Sequence, residues 1–165
     1  MSGSADLHKA IAALWISSGL DALFQAKWNE ADRSKYATLN DAEAAPGTPF
    51  PYTVFEAAQP STDIRMSGRA RKQKYHVDDQ TWTFSVYAIP EESKSSKVVA
   101  SELGDEILKV FGGHPTEEPQ TGGMELDNGS VLLVQYQYDH FERQADNVWK
   151  WSVEYKIKTD KPVMV

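Results

Sequence analysis

A strict alternation of residues from Thr81 to Ile89 (TWTFSVYAI) constrains the fold of this chain more than any other feature. Threonine, serine and tyrosine occupy one side of this segment, and the other side carries Trp82, Phe84, Val86 and Ala88. A period of two with one apolar side is typical of a half-buried β-strand. Such a strand buries one face, so it requires a further layer packed against that face.

The rest of the C-terminal half supplies that layer and the strands beside it. Apolar residues recur at helical spacing over Ser93–Phe111, and strand patterns return over Val131–Phe141 and Val148–Thr159. In the last strand, Trp149, Trp151, Val153, Tyr155 and Ile157 alternate with polar residues, so we expect the aromatic set inside. The sequence therefore predicts an α+β fold, with an antiparallel four-stranded sheet packed by an N-terminal helix and a central helix.

The N-terminal third is less regular. We expect a helix over residues 1–19, capped by Ser4 and with its apolar residues on one face. For residues 20–50 the sequence predicts an irregular insertion that contains at most a short helical turn. Pro46, Pro49 and Pro51 then forbid a helix, so the first strand begins at Tyr52. We expect one domain over 1–165, with the sheet in 51–165 and the central helix at 93–111.

A long charged loop is predicted between the first two strands, over Ser61–Asp79. It holds a basic cluster without an acid among its members: Arg65, Arg69, Arg71, Lys72 and Lys74. A solvated connector is the simplest interpretation. The alternatives are a contact with an acidic neighbouring subunit, which would make this an inter-subunit loop, or a contact with passing DNA.

Charge and composition exclude several classes of protein. The 165-residue chain carries a formal charge of −7, which disfavours general binding to nucleic acid. It has no cysteine, so thiolate nucleophiles and cysteine-ligated metals are excluded. The N-terminal segment lacks the basic start of a signal peptide, and no apolar run is long enough to span a membrane. We therefore expect a soluble protein made in the cytoplasm.

Residues that could carry chemistry do not form a recognised motif. The four histidines, His8, His76, His114 and His140, lie far apart in sequence at no metal-ligand spacing. The glycine pairs lack a phosphate-binding context, and the paired glutamates lie in predicted loops where nothing would raise their pKa. We expect no catalytic residue, no metal and no cofactor. Alternation also places the lysines of the last strand opposite its tryptophans, which favours an aromatic core over a platform for single-stranded nucleic acid.

The order of these features resembles the tail terminator or tail-completion proteins of long-tailed bacteriophages and related prophages. The resemblance covers nearly the whole chain, and its local motifs are the strand start FPYTVFE and Phe141-Glu142-Arg143 near the last turn. It implies a small α+β structural virion protein of the tail or neck, assembled in the host cytoplasm. It further implies a hexameric ring that ends the tail tube and contacts both the tube protein and the head-side connector, while DNA passes through without specific binding.

Two alternatives to a tail terminator remain open at this point. One is a different phage neck or minor tail protein, such as a head-completion protein. The other is a cellular α+β module that binds a small ligand or a peptide, for which a pocket between helix and sheet would be required.

Overall fold

A computed structural model describes residues 3–57, 62–65, 75–112, 124–127 and 129–162. In chain order its elements are α1 (Gly3–Ser17), α2 (Leu20–Gln25), a short 3-10 turn (Glu30–Asp32), β1 (Leu39–Asp41), β2 (Tyr52–Ala57), β3 (Thr62–Arg65), β4 (Tyr75–Ala88), α3 (Ser96–Phe111), β5 (Ser130–Arg143) and β6 (Trp149–Pro162). Strands and helices occupy separate layers, which is an α+β arrangement.

The sheet is mixed and six-stranded within the described part of the chain, with the order β1-β2-β4-β6-β5. β1 and β2 are parallel, and the other pairs are antiparallel. β3 pairs with the first half of β4, on the same side as β2, because β6 runs along the whole other side. The predicted antiparallel four-stranded sheet is therefore wrong: it lacked β1 and β3, and it had no parallel pair.

Both missed strands are short and carry no alternation of apolar residues. The sequence of β1 is Leu-Asn-Asp, and that of β3 is Thr-Asp-Ile-Arg. β3 forms inside Ser61–Asp79, the segment predicted as one long charged loop, and β4 begins inside it at Tyr75, so that prediction is corrected for residues 62–65 and 75–79. Residues 61 and 66–74 of the same segment lie outside the described residues. The stretch 20–50, expected to be irregular, contains α2, the 3-10 turn and β1.

Both long helices pack on one face of the sheet. That face is built from the aromatic side chains that alternation predicted to be inside, since Trp82, Phe84, Trp151 and Tyr155 are each at most 3% exposed. From α1, the ring of His8 contacts the ring of Phe55 in β2 at 4.8 Å. The inner orientation predicted for these strands is confirmed.

The central helix begins at Ser96, three residues later than predicted. The Ser95 side chain caps it by accepting a hydrogen bond from the backbone N–H of Val98 at 3.3 Å. Gly104 faces β6 so closely that a Cβ there would lie 2.7 Å from the ring of Trp151. At the other end of the helix, the hydroxyl of Tyr155 donates to the Gly112 carbonyl. Helix and sheet are therefore in direct contact at the middle and at the C-terminal end of α3.

The opposite face of the sheet carries small and polar side chains, together with the stacked rings of Tyr52 and Tyr87. At its centre, the hydroxyls of Ser85 and Ser152 lie 2.9 Å apart and form a hydrogen bond. Toward one end, Lys156 and Asp79 form an ion pair at 3.2 Å. This face is half-buried, and it carries cross-strand ion pairs.

Candidate assembly interface

Of the basic residues predicted to form an inter-subunit loop, only Arg65 lies in the part of the chain that the structure describes. Arg65 lies in β3, where its backbone pairs with His76 of β4. Arg69, Arg71, Lys72 and Lys74 lie outside the described residues. The hypothesis about this cluster therefore stays a prediction from sequence, and surfaces for assembly must be sought elsewhere.

One edge of the sheet is formed by β5, a strand of 14 residues. Two irregularities in its pairing with β6, between Val131 and Leu133 and between Tyr136 and Tyr138, interrupt its first part. The last six residues, Tyr138–Arg143, pair without interruption, and all six side chains are exposed. An edge strand presents a row of backbone N–H and C=O groups that another strand can pair with.

Three large apolar or aromatic side chains of β5 are exposed: Leu132 at 48%, Tyr138 at 52% and Phe141 at 37%. The Lys97 ammonium at the start of α3 lies 5.1 Å from the centre of the Phe141 ring and 5.2 Å from that of Trp149. On the other face, the charge of Glu154 and a hydrogen bond with its side chain raise the pKa of Tyr138. Charged side chains thus lie beside the exposed aromatic rings of this edge on both faces.

The other edge of the sheet is β1, which lies beside α1. A groove of about 260 Å³ runs between them, and its walls include Ala12, Ile16, Leu39 and Phe55. At the mouth of the groove, His8 Nε2 lies 3.3 Å from an oxygen of Asp41. The groove is apolar along its walls and acidic at the β1 end.

The surface formed by α1 and α2 next to this groove carries little charge. Between Ala10 and Ala26 the single ionisable residue is Asp21. Ile16 is 68% exposed and Leu23 is 37% exposed on this surface. Exposed apolar side chains grouped in this way are typical of protein contact sites.

A second groove, of about 640 Å³, lies on the face of the sheet away from the helices. The loop 42–48 forms one wall, and the aromatic rings of Phe50, Tyr52 and Tyr87 form the floor. The rings of Tyr52 and Tyr87 stack at 5.1 Å, and the Lys150 ammonium lies 5.7 Å from the centre of the Tyr87 ring. Burial, with a smaller contribution from Tyr87, raises the pKa of Tyr52.

The histidines remain apart in space as in sequence. His8 is in α1, His140 is near the end of β5, and only the backbone of His76 in β4 is described. His114 lies outside the described residues. Among the side chains that the structure describes, no group of three or more His, Cys, Asp or Glu is arranged to hold a metal ion. None of the described helices is long and apolar enough to cross a membrane.

Comparison with known proteins gives a likeness in structure but none in sequence. No protein-family model matches the sequence, and no curated protein matches it. Among solved structures, a chain from the virion of a native gene transfer agent particle aligns with a TM-score of 0.46 and 12% sequence identity. The alignment covers 82% of this chain and 89% of that chain. A likeness at this level carries no argument about function.

Sequence reasoning missed both sheet edges and both grooves. One signal was available, because the scarcity of charge between Ala10 and Ala26 exceeds what a helix with one buried face requires. The edges themselves had no signal, since strand order depends on which segments pair and not on the composition of any one of them.

Proposed function

We propose that this protein is a structural component of a phage-like virion, and that it forms a ring that ends the tail tube and joins tail to head. The resemblance of its element order to tail terminator proteins supports the proposal. That order comprises an N-terminal helix, a strand after a proline-rich turn, an alternating strand, a helix and a closing hairpin. Each of these elements is present in the fold.

The observation that carries the proposal is the presence of two different sheet edges, β1 and β5, with which no other strand of the described part of the chain pairs. A closed ring of identical subunits uses a heterologous interface, in which each copy contributes two different surfaces. β5 supplies one such surface with its exposed residues Tyr138–Arg143. β1, α1 and α2 supply the other, with the groove and the exposed Ile16 and Leu23.

The proposal assigns no catalytic activity to the protein. Its partners are other copies of itself, the tail tube protein and the head-side connector, and its role toward DNA is to leave a passage without specific contacts. Reproducible turnover of a substrate by the purified protein, lost on substitution of one histidine, would contradict this assignment.

The mass of the purified protein in solution tests the ring directly. We expect one closed species of six copies of the 18.5 kDa chain, either alone or on addition of its tail tube protein. Electron microscopy of the same sample should show rings. A protein that remains monomeric at all concentrations, with and without tube protein, contradicts the proposal.

The location of the protein in assembled particles separates a tail terminator from other neck or tail proteins. Antibody label should appear at the junction of head and tail, and particles that lack the protein should have tails of uncontrolled length. Tails of normal length that simply fail to join heads would instead indicate a head-completion protein.

A second candidate function is the binding of a small ligand or a peptide. The groove of about 640 Å³ on the sheet face away from the helices supports it. Its stacked Tyr52 and Tyr87 rings provide an aromatic surface of the kind that binds peptides or small planar ligands. If this is the function, a ligand retained through purification should be lost when Tyr87 is replaced by Ser, while the assembly state stays unchanged.

A further inference from the structure

The strands at the two edges of the sheet run in opposite directions, as an antiparallel pair between two copies requires. β1 and β2 run the same way, β4 runs opposite to β2, β6 runs opposite to β4, and β5 runs opposite to β6. β5 is therefore antiparallel to β1. A rotation about an axis along the strands carries one copy beside the next without reversing either strand. In that arrangement β5 of one copy meets β1 of the next as an antiparallel pair, with the helices of both copies on the same side.

The two edges also match in position along the sheet. Partner residues form a row across all five strands of the main path, namely Asn40, Val54, Ser85, Ser152 and His140. The centre of β1 is thus level with His140. That residue lies within Tyr138–Arg143, the part of β5 that has no irregularity in its pairing. Two copies placed side by side therefore bring β1 against the uninterrupted part of β5.

The backbone groups that face outward on each edge are compatible. Thr38 accepts a hydrogen bond from the backbone N–H of Thr53, and Ala42 donates to Phe55, so alternation directs Leu39 and Asp41 away from β2. Glu43 already donates to the carbonyl of Asp41, which leaves the N–H and C=O of Leu39 and the N–H of Asp41 directed outward. These groups can form the ladder of an antiparallel pair.

On β5, the hydrogen bond from Gln144 to the Val148 carbonyl fixes the alternation. It directs Glu142 and His140 toward β6, and Asp139, Phe141 and Arg143 outward. Outward residues of β1 and β5 can face each other in two registers. In the level register, in which Asn40 lies opposite His140, Leu39 lies opposite Phe141. In the shifted register, displaced by two residues, Leu39 lies opposite Arg143.

Charge distinguishes the two registers. The level register places Asp41 opposite Asp139, and like charges directly opposite each other are destabilising. The shifted register places Asp41 opposite Phe141, and Arg143 then lies diagonally across from Asp41, within reach of a long side chain. A stagger between strands is also what closure of a sheet into a ring requires.

We propose that the partner of the β1 edge is a second copy of this chain, bound through antiparallel pairing of its β5 segment Tyr138–Arg143. In this interface Phe141 of one copy enters the apolar groove between α1 and β1 of the next, and Arg143 meets Asp41. The inference rests on the proposed ring, because it names the contact that closes it.

Cysteine cross-linking tests the pairing, since the chain has no cysteine of its own. Asn40 and His140 are four strands apart, about 19 Å at the usual strand spacing of about 4.8 Å. A disulfide cannot span that distance, so any bond between cysteines at these positions joins two copies. The two double variants are Asn40→Cys with Glu142→Cys for the shifted register, and Asn40→Cys with His140→Cys for the level register. Circular dichroism checks that each remains folded.

Under mild oxidation, we expect a ladder of cross-linked species that ends at the copy number of the ring, in at least one double variant. Faster cross-linking of the variant with Glu142→Cys supports the shifted register and its contact between Arg143 and Asp41, whereas faster cross-linking of the variant with His140→Cys overturns that contact. Single variants should remain uncross-linked, and a mixture of the Asn40→Cys and Glu142→Cys single variants, or of the Asn40→Cys and His140→Cys ones, should give dimers. Dimers from the His140→Cys or Glu142→Cys variant alone would mean that two β5 strands pair with each other, which overturns the proposal.

Native mass separates failure of this inference from failure of the proposed function. Closed rings without cross-links in either double variant overturn the pairing and leave the ring standing. Cross-linked open chains without a closed species support the pairing and contradict the ring. Phe141→Pro gives a further check, because the outward N–H of Phe141 is not needed within its own sheet. This variant should stay folded and lose assembly, and full assembly by a folded Phe141→Pro protein would overturn the pairing.

Discussion

Gly104 illustrates how one residue sets the distance between helix and sheet. Glycine in the middle of a helix normally destabilises it by roughly 0.5 to 1 kcal/mol relative to alanine. Here the absence of a side chain lets α3 lie directly on the ring of Trp151, at a distance that a Cβ would reduce to 2.7 Å. The cost in helix propensity is therefore offset by close packing.

Substitution of Gly104 by Ala should consequently destabilise the protein, against the usual direction of this change in a helix. Overpacking of a rigid core commonly costs about 1 to 3 kcal/mol, and the Trp151 ring has buried neighbours on its strand. Urea denaturation measures the change in the free energy of unfolding. Asp105→Ala, at the exposed adjacent position, is the matched control, and a Gly104→Ala protein more stable than wild type would contradict the packing described.

Tyr155 is the second residue whose environment affects the stability of the fold, through its pKa. Burial, reinforced by Tyr136 and Asp139, raises the pKa of Tyr155 well above its ordinary value of 10.0. The unfolded chain can ionise this phenol from about pH 10 upward, whereas the folded chain keeps its proton. The stabilising contribution is therefore complete below about pH 10 and is lost as the pH rises further.

Replacement of Tyr155 by Phe should remove the hydrogen bond to the Gly112 carbonyl and lower the free energy of unfolding by about 1 kcal/mol at neutral pH. Above about pH 10 wild type should lose stability faster than the variant, so the difference between them should shrink. Chemical denaturation at pH 7 and pH 11 measures both effects. A constant difference at the two pH values would show that the Tyr155 ionisation is not coupled to unfolding.

At the scale of elements, the structure distinguishes what the sequence predicts well from what it cannot predict. α3, β4 and β6 each bury one face, so their apolar residues recur at the period of a helix or a strand and reveal the element. The first six residues of β4, Tyr75 to Gln80, were not predicted as strand. All six pair with β6, and residues 76–79 pair with β3 as well, but backbone pairing leaves no periodic trace in side-chain polarity.

The sequence located the helix orientation and the aromatic core but not the candidate interface. The inner stripe of α3 was predicted correctly, since Leu103 and Ile107 are buried and Lys109 is exposed. The edge strand β1 could not be predicted, because three residues without a hydrophobic side contain no pattern. The basic cluster was predicted to be an interface from its charge alone. Charge indicates that a segment faces solvent, but it does not identify a binding partner.

Two substitutions in α3 test which face of this helix is buried against the sheet. Ile107 is fully buried, so Ile107→Ala should lower the free energy of unfolding by roughly 2 to 5 kcal/mol through loss of buried surface and creation of a cavity. Lys109→Ala loses only a surface ion pair with Glu106, at 3.0 Å, and should change stability by less than about 1 kcal/mol. Equal denaturation midpoints for Ile107→Ala and wild type would mean that this face of α3 is not in the core.

At the scale of the whole molecule, the fold is one-sided. Helices cover one face of the sheet, polar side chains cover the other, and the two edges differ in length, charge and apolar exposure. A subunit with two different edges presents the two distinct surfaces that head-to-tail repetition requires.

The basic cluster adds an electrostatic prediction at this scale, and it rests on sequence alone. Five basic residues without an acid among them cannot neutralise one another, whereas acidic surfaces on neighbouring subunits of net charge −7 can. Reversal of Arg69, Arg71 and Lys72 to Glu should leave the fold intact and prevent ring formation, because complementary charges steer association. Native mass spectrometry and tail lengths measure the effect.

A control variant with the same change in net charge reverses Arg33, Lys35 and Lys109 to Glu, all at exposed positions. It should form rings as wild type does. If particles built with the cluster variant have normal tails and normal infectivity, the cluster is a solvated connector.

The parallel pairing of β1 with β2 has a consequence for the tolerated length of the chain. A tight turn after Asp41 would reverse its direction, so the chain must travel back outside the sheet before β2 begins at Tyr52. Residues 42–51 make this return, with positive φ angles at Ala42 and Gly47, and they form the wall of the larger groove on the way. Insertions can be accommodated there, but deletions soon make the parallel pair unreachable. Variation in length at this position should therefore run in one direction only, toward longer chains.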